Sequence, residues 1–286
     1  MTRFAPYIFA WGRGSNEYKT STLSDINKLK LKNITLAFLV SDRYEEIQSW
    51  KQDILNYPNI EIILSLGGAS GKFVNFNKSI DRQVSELVNL LKDLKISKID
   101  LDIEGTVLEN PIEVNRWIEI IFETLKILKL EITLTLPVEW YGLNEHAINV
   151  INKSEKLKIN IKFINLMIMD FYTKLDRPNW AIKHIQILKI VKNQLNCNWD
   201  KIGYCPMIGE NDDGSKFTII DWETVLDFIT EKNIGLVTFW AINRDQGKHG
   251  FKTHSVNTHS RCQFKDLEYT QIAINKLYTC FSKNNG

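Results

Sequence analysis

The chain has 286 residues, 44% hydrophobic and 24% charged, a balance that suits a folded globular protein and excludes a disordered one. Its 36 basic and 34 acidic side chains leave a formal net charge of +2, so there is no electrostatic footprint for nucleic acid. No apolar run approaches the ~20 residues of a membrane span, and no membrane is expected as a partner. The chain opens Met1-Thr2-Arg3-Phe4-Ala5-Pro6, without the apolar stretch of a signal peptide. That points to the cytoplasm, unless the protein is exported by another route or numbered after processing. Cys197, Cys205, Cys262 and Cys280 are too few for a disulfide scaffold and lack Cys-x-x-Cys spacing. They read mostly as reduced thiols, with a Cys262–Cys280 pair left open.

Eight apolar or β-branched runs follow one another, at 4–11, 34–40, 60–66, 96–103, 131–136, 163–169, 201–205 and 235–240. Their starts lie roughly 26–38 residues apart, about what a strand, two loops and a crossover helix require. Nearly continuous apolar runs are expected of parallel strands buried on both faces. Ile80, Val84, Leu87, Leu91 and Leu94 draw one stripe on a helix between the third and fourth runs. Glu113, Trp117, Ile120, Ile121 and Leu125 draw another, opened by Pro111. Trp222, Val225, Leu226 and Ile229 draw a third after the polar start 218–221. The stretch 246–264 has no clear pattern and reads as a loop after the eighth strand. The expectation is an α/β chain forming a single (β/α)8 barrel over 1–286, with a doubly wound open sheet as the alternative.

The chemistry is concentrated in Ile99-Asp100-Leu101-Asp102-Ile103-Glu104-Gly105. On a strand, Asp100, Asp102 and Glu104 share one face and the three aliphatics share the other. The apolar face can pack on the helices, which turns the acids toward the barrel axis. Stacked carboxylates repel, and one is kept protonated near neutral pH, as a general acid requires. A divalent metal could use the same cluster, but no histidine set or phosphate loop completes such a site, and none is expected. His249, His254 and His259 recur every five residues, with Cys262 nearby, and share no helical face; they read as exposed or capping, with a loop that gathers them around zinc as the alternative. Ser65-Leu66-Gly67-Gly68 ends the third strand, where two glycines allow close backbone approach. Asp170 ends the sixth, where a lone acid is more often a helix cap. Phe239-Trp240 ends the eighth, where the indole is either core or a platform for the apolar face of a sugar.

Four strand ends in this order, Ser65-Leu66-Gly67-Gly68, Asp100 to Gly105, Asn165-Leu166-Met167-Ile168-Met169-Asp170 and Trp240-Ala241-Ile242-Asn243-Arg244-Asp245, resemble the family 18 glycoside hydrolases, the chitinases. Pro6-Tyr7, Leu36-Ala37-Phe38, Thr135-Leu136-Pro137, Pro206-Met207-Ile208-Gly209 and Asn211-Asp212 add to the match, which is similar to the compact bacterial subgroup. The chain departs from the family pattern at Ser97-Lys98, where an Asp-Gly is usual. That change is expected to alter charge sharing among the carboxylates. Met169 stands where many relatives have a tyrosine, and Phe9-Ala10-Trp11-Gly12-Arg13 maps onto no familiar contact.

The resemblance implies retaining, substrate-assisted cleavage of β-1,4-linked N-acetylglucosamine polymers. Glu104 is implied as acid and base, Asp102 and Asp170 as holders of the acetamide, and Asp100 as the group that tunes Asp102. Trp240, Met169, Met167, Phe38, Ser65, Gly67 and Met207 are the implied substrate contacts. No cofactor is implied, the partner is chitin or a chitooligosaccharide, and a monomer is expected. An endo-β-N-acetylglucosaminidase on N-glycans, an inactive chitin-binding barrel and a metal-dependent enzyme are the alternatives. The short gap 206–234 reads as one helix and two connecting loops and leaves no room for the α+β insertion that walls the groove of many processive relatives, so an open cleft and internal cleavage are expected.

Overall fold

A computed structural model describes residues 1–41, 43–69, 71–172, 179–247, 258–263 and 265–278. His249, His254 and Cys280 lie outside them, and with them any histidine cluster or Cys262–Cys280 pair. The strands are β1 (Arg3–Phe4), β2 (Tyr7–Phe9), β3 (Asn33–Leu39), β4 (Glu61–Gly67), β5 (Lys98–Asp102) and β6 (Glu131–Pro137), followed by β7 (Ile161–Met167), β8 (Ile202–Cys205), β9 (Gly209–Glu210), β10 (Lys216–Phe217) and β11 (Leu236–Val237). Nine of them form one sheet in the order β1-β11-β8-β7-β6-β5-β4-β3-β2, and each neighbouring pair in it is parallel. β1 and β2 are two halves of the first predicted run. Pro6 has no N–H to give to the ladder, so the run breaks there. One half pairs with β11 and the other with β3, and this closes the barrel.

The helices are α1 (Leu23–Lys28), α2 (Tyr44–Gln48), α3 (Lys51–Asn56), α4 (Ile80–Leu94), α5 (Gly105–Glu109), α6 (Pro111–Ile127), α7 (Glu145–Lys156), α8 (Trp180–Gln194), α9 (Ile219–Lys232) and α10 (Glu268–Tyr278). Their ends follow local chemistry. Ser79 caps α4 by accepting from the Arg82 N–H, and Lys95 closes that helix in the left-handed region. Thr218 and Asp221 form a reciprocal capping box, which starts α9 at Ile219, three residues before its first buried side chain, Trp222. None of the described helices is long and apolar enough to cross a membrane.

The barrel interior is layered. Ala5, Ile63, Phe163 and Leu236 form a separate apolar plug. Near the N-terminal ends of the strands, Lys98 bridges Glu61 (2.8 Å) and Glu131 (3.5 Å), and Arg3 also pairs with Glu131. Above the plug lies a polar layer built on Tyr7, Ser65, Asp100, Thr135, Asn165 and Thr238, all buried and joined by hydrogen bonds. Between β8 and β11 the chain carries α9 and a two-stranded hairpin, β9–β10, but no inserted α+β unit. The sequence reading had two plain loops there. A hairpin of two residues per strand is too short to leave an alternating pattern.

Candidate active site

Asp100 and Asp102 sit on β5, which ends at Asp102, and Glu104 follows two residues on in extended backbone, just before α5. The alternation of acid and aliphatic therefore does what the pattern implied: Leu101 and Ile103 enter the core between barrel and helices. Asp100 is 1% exposed and accepts three hydroxyl hydrogen bonds. Tyr7 (2.8 Å) and Ser65 (2.7 Å) donate to Oδ2, and Thr135 (2.6 Å) donates to Oδ1. The Asn165 amide donates in turn to the Thr135 hydroxyl (3.0 Å), which fixes its direction. Burial still pushes the Asp100 carboxyl up, against the three donors.

Asp102 is 4% exposed, and its Oδ1 has no hydrogen-bond partner. Burial first, then the charges of Glu104 and Asp100, push it well above the usual carboxylate range. The three hydroxyls stabilise a charge on Asp100 and none stabilises one on Asp102, so the resting proton of the pair belongs on Asp102. Glu104 is half-buried and raised to about 7, by burial and by Asp170. Asp170 is raised to about 6, by burial and by Asp212. It is not a helix cap. It lies in the left-handed region at φ 51°, and its Oδ1 accepts from the Asp212 N–H at 2.7 Å. Asn211 accepts from the Asp170 N–H (3.4 Å) and ties its own amide to Met207 and Gly209 carbonyls, so the segment before β10 holds the acid in place.

An aromatic floor adjoins the carboxylates. Trp240 is half-buried, lies nearly parallel to Phe38 (5.3 Å, 17°) and touches Phe9 (4.9 Å) and Tyr7 (5.9 Å). The Ala37–Phe38 and Trp240–Ala241 peptide bonds are cis. Met169, Phe38 and Trp240 pack on a small cluster of Tyr7, Phe9, Ala37, Cys205 and Ala241. Met167 ends β7 half-buried and is the register partner of Cys205. Behind Trp240, Asn243 accepts from the Phe9 N–H at 2.7 Å, and the buried Arg244 donates to the Glu210 carbonyl at 2.7 Å.

Three expectations need correction. Ser65 is fully buried and spends its hydroxyl on Asp100, so it supports the acid and does not line the cleft. Met207 is 3% exposed and likewise offers no surface to a ligand. Ser97 is exposed before the first residue of β5, and its carbonyl accepts from Glu131 N–H at 2.9 Å. It therefore lies at the far end of the barrel, and the hydroxyls of Tyr7, Ser65 and Thr135 set the charge sharing. Gly67 acts through its backbone: at φ +100° an added Cβ would stand 2.4 Å from the Asp102 carbonyl oxygen. No metal-holding group of three or more His, Cys, Asp or Glu occurs among the described residues.

The sequence reading assigned no role to Tyr7, Thr135, Asn165, Thr238, Cys205 or Arg244. A signal existed for some. Thr133 and Thr135 alternate with Ile132, Leu134 and Leu136, which marks a polar inner face on β6.

The sequence model described as Glycosyl hydrolases family 18 matches residues 3–220. A relative named "Probable bifunctional chitinase/lysozyme" from Escherichia coli (strain K12) is 24% identical over 85% of this chain and 31% of its own length. "Endochitinase 11" of Metarhizium anisopliae is 24% identical over 85% of this chain and 52% of its own length. The chain thus spans about a third to a half of these relatives. Among solved structures, active domain 2 of the thermostable Pyrococcus furiosus chitinase superposes with a TM-score of 0.83 at 20% identity, covering 98% of this chain and 95% of that one. The catalytic domain of a fern chitinase reaches a TM-score of 0.63 at 14% identity, covering 96% and 99%. These two similarities bear on the fold.

Proposed function

Since the chain belongs to the family 18 glycosyl hydrolases, we propose that it cleaves internal β-1,4 bonds of N-acetylglucosamine polymers with retention and with help from the substrate's own acetamide. The observation that carries this reading is the unpartnered Oδ1 of buried Asp102, beside an acid that is still protonated near neutral pH. A buried carboxyl oxygen without a donor costs about 1–3 kcal/mol and calls for an N–H from a ligand.

Glu104 gives its proton to the glycosidic oxygen as the C1–O bond breaks. The acetamide carbonyl oxygen attacks C1 and closes an oxazolinium ring. Asp102 accepts the acetamide N–H and stabilises the positive charge as it develops, while Asp100 and its hydroxyls set the charge of the pair. Asp170 holds the acetamide from the other side, and Trp240 floors the sugar. Water then attacks C1 from the face that the leaving group vacated, and Glu104 takes its proton. This route departs from the two-carboxylate scheme of most retaining glycosidases, because the nucleophile belongs to the substrate. A groove with only a two-stranded hairpin before α9 lets a chain enter at its middle, which supports internal cleavage.

The test is to digest chitin oligosaccharides of defined length with the wild type and with Glu104→Gln, resolving product lengths and anomers at early times. Wild type should release β-configured products from internal bonds, and the variant should lose about 10²–10⁴-fold or more in kcat while still binding. Products of α configuration, or a variant that turns over like wild type, count against the assignment.

A further inference from the structure

We propose that the N-terminal end of the barrel is a docking face for anionic phospholipid surfaces. The sheet is parallel, so the starts of β5, β6, β7 and β8 and the ends of the helices before them lie at one end of the barrel, away from Glu104. The four connections there, 92–98, 123–131, 153–162 and 189–201, carry twelve lysines and five acids. That is an excess of seven positive charges on neighbouring turns of a chain whose formal net charge is +2. The even overall balance therefore hides a basic end and leaves the rest of the chain at net −5.

Part of this excess has a local cause. Lysines in the last turns of α4, α6, α7 and α8, such as Lys92 and Lys126, complement the helix dipoles. Each helix end already has such a lysine, yet the chain adds Lys95, Lys129, Lys158 and Lys162 beyond them. All four are exposed, and none is held in an ion pair among the described residues. Unpaired lysines on adjacent turns repel, so an opposite charge supplied from outside lowers the energy of this face. A polymer of N-acetylglucosamine is uncharged and does not account for it.

The exposed apolar side chains select the partner. Ile127 ends α6 at 55% exposure, and Leu157 follows α7 at 39%. One isolated exposed aliphatic needs no explanation. Two on lysine-bearing turns before the paired strands β6 and β7 match a bilayer surface, which offers acyl chains beneath its phosphates. Nucleic acid would be met by arginines and stacking rings. The four connections hold no arginine, and the exposed aromatics among the described residues, Trp11, Phe76, Tyr141 and Tyr172, all lie outside them. None of the described helices can cross a bilayer, so the contact is peripheral and leaves the carboxylates facing solution.

Co-sedimentation of the full chain with vesicles tests the face. It makes no use of hydrolysis, so its outcome stands apart from the glycosidase reading. The protein should pellet with phosphatidylcholine vesicles that contain about one-third phosphatidylglycerol, stay in solution with phosphatidylcholine alone, and be released at about 0.5 M salt. Lys95→Glu, Lys129→Glu and Lys158→Glu together should weaken binding about tenfold or more, and glutamine at the same three positions should weaken it less. Ile127→Ser with Leu157→Ser should weaken it about threefold or more, and every variant should melt near wild type. Equal pelleting with both vesicles, no pelleting, or unchanged affinity in the charge variants overturns the proposal. So does low-salt retention by duplex DNA that exceeds vesicle binding and ignores the serine substitutions, which would mark a general polyanion face. A low-salt dimer that the charge variants dissolve, without vesicle binding, also overturns it and would assign the face to a second copy.

Discussion

At the scale of single residues, the site divides its carboxylates by the donors each one receives. Asp100 takes three hydroxyls, Asp102 Oδ1 takes none, and Glu104 stands at the rim beside Asp170. Tyr7→Phe removes one of the three donors and leaves the ring. It should cost about 1–2 kcal/mol of stability, since a buried acceptor loses a hydrogen bond. It should also lower kcat several-fold with KM nearly unchanged, because Tyr7 is 1% exposed and offers almost no surface to substrate. Unfolding by urea and steady-state kinetics on one oligosaccharide check both. A raised KM at constant kcat would mean that the hydroxyl serves binding and not charge placement.

Among the elements, β4 and β5 set the geometry that matters most. Gly67 ends β4 against the Asp102 carbonyl and the Trp117 ring, in backbone that L-residues avoid. Gly67→Ala should push the end of β5 away, cutting kcat about tenfold or more and lowering the melting temperature, as measured by kinetics and thermal unfolding. A variant with full activity would show that β5 tolerates the shift. The elements were readable from sequence where periodicity is long. The stripe of α4 and the acid–aliphatic alternation of β5 identify themselves. The break of the first strand at Pro6 was not read, although proline explains it, and neither was the β9–β10 hairpin, whose strands are too short to be periodic. The partners of Asp100 come from four other strands, β2, β4, β6 and, one bond further, β7, and no local spacing reveals which residues meet across a barrel. The reading of Ser97 failed for the same reason: its place along the barrel axis decides its contacts.

Over the whole molecule, the buried acids make stability depend on pH. Glu104 is raised from 4.5 to about 7, and Asp170 and Asp245 from 3.8 to about 6. Asp245 is fully buried and accepts from Thr270 and Gln263, which ties α10 to the end of the barrel. For an acid whose folded value is raised, its contribution is fully present below the unfolded value and is lost as pH climbs through the folded one. These groups therefore cost stability progressively between about pH 4 and 7. Glu104→Gln removes one of them, so it should stabilise the fold at pH 8 by roughly 1–3 kcal/mol and by almost nothing at pH 4. Urea unfolding at both values checks this, and an equal gain at both would mean that Glu104 titrates normally. The account stands or falls, however, on the acetamide as nucleophile. Partially deacetylated chitosan offers the protein sugars with and without that group, and mass spectrometry can read the unit at each newly made reducing end. The account predicts N-acetylglucosamine at essentially every new end, while glucosamine there in proportion to its share of the polymer would contradict it.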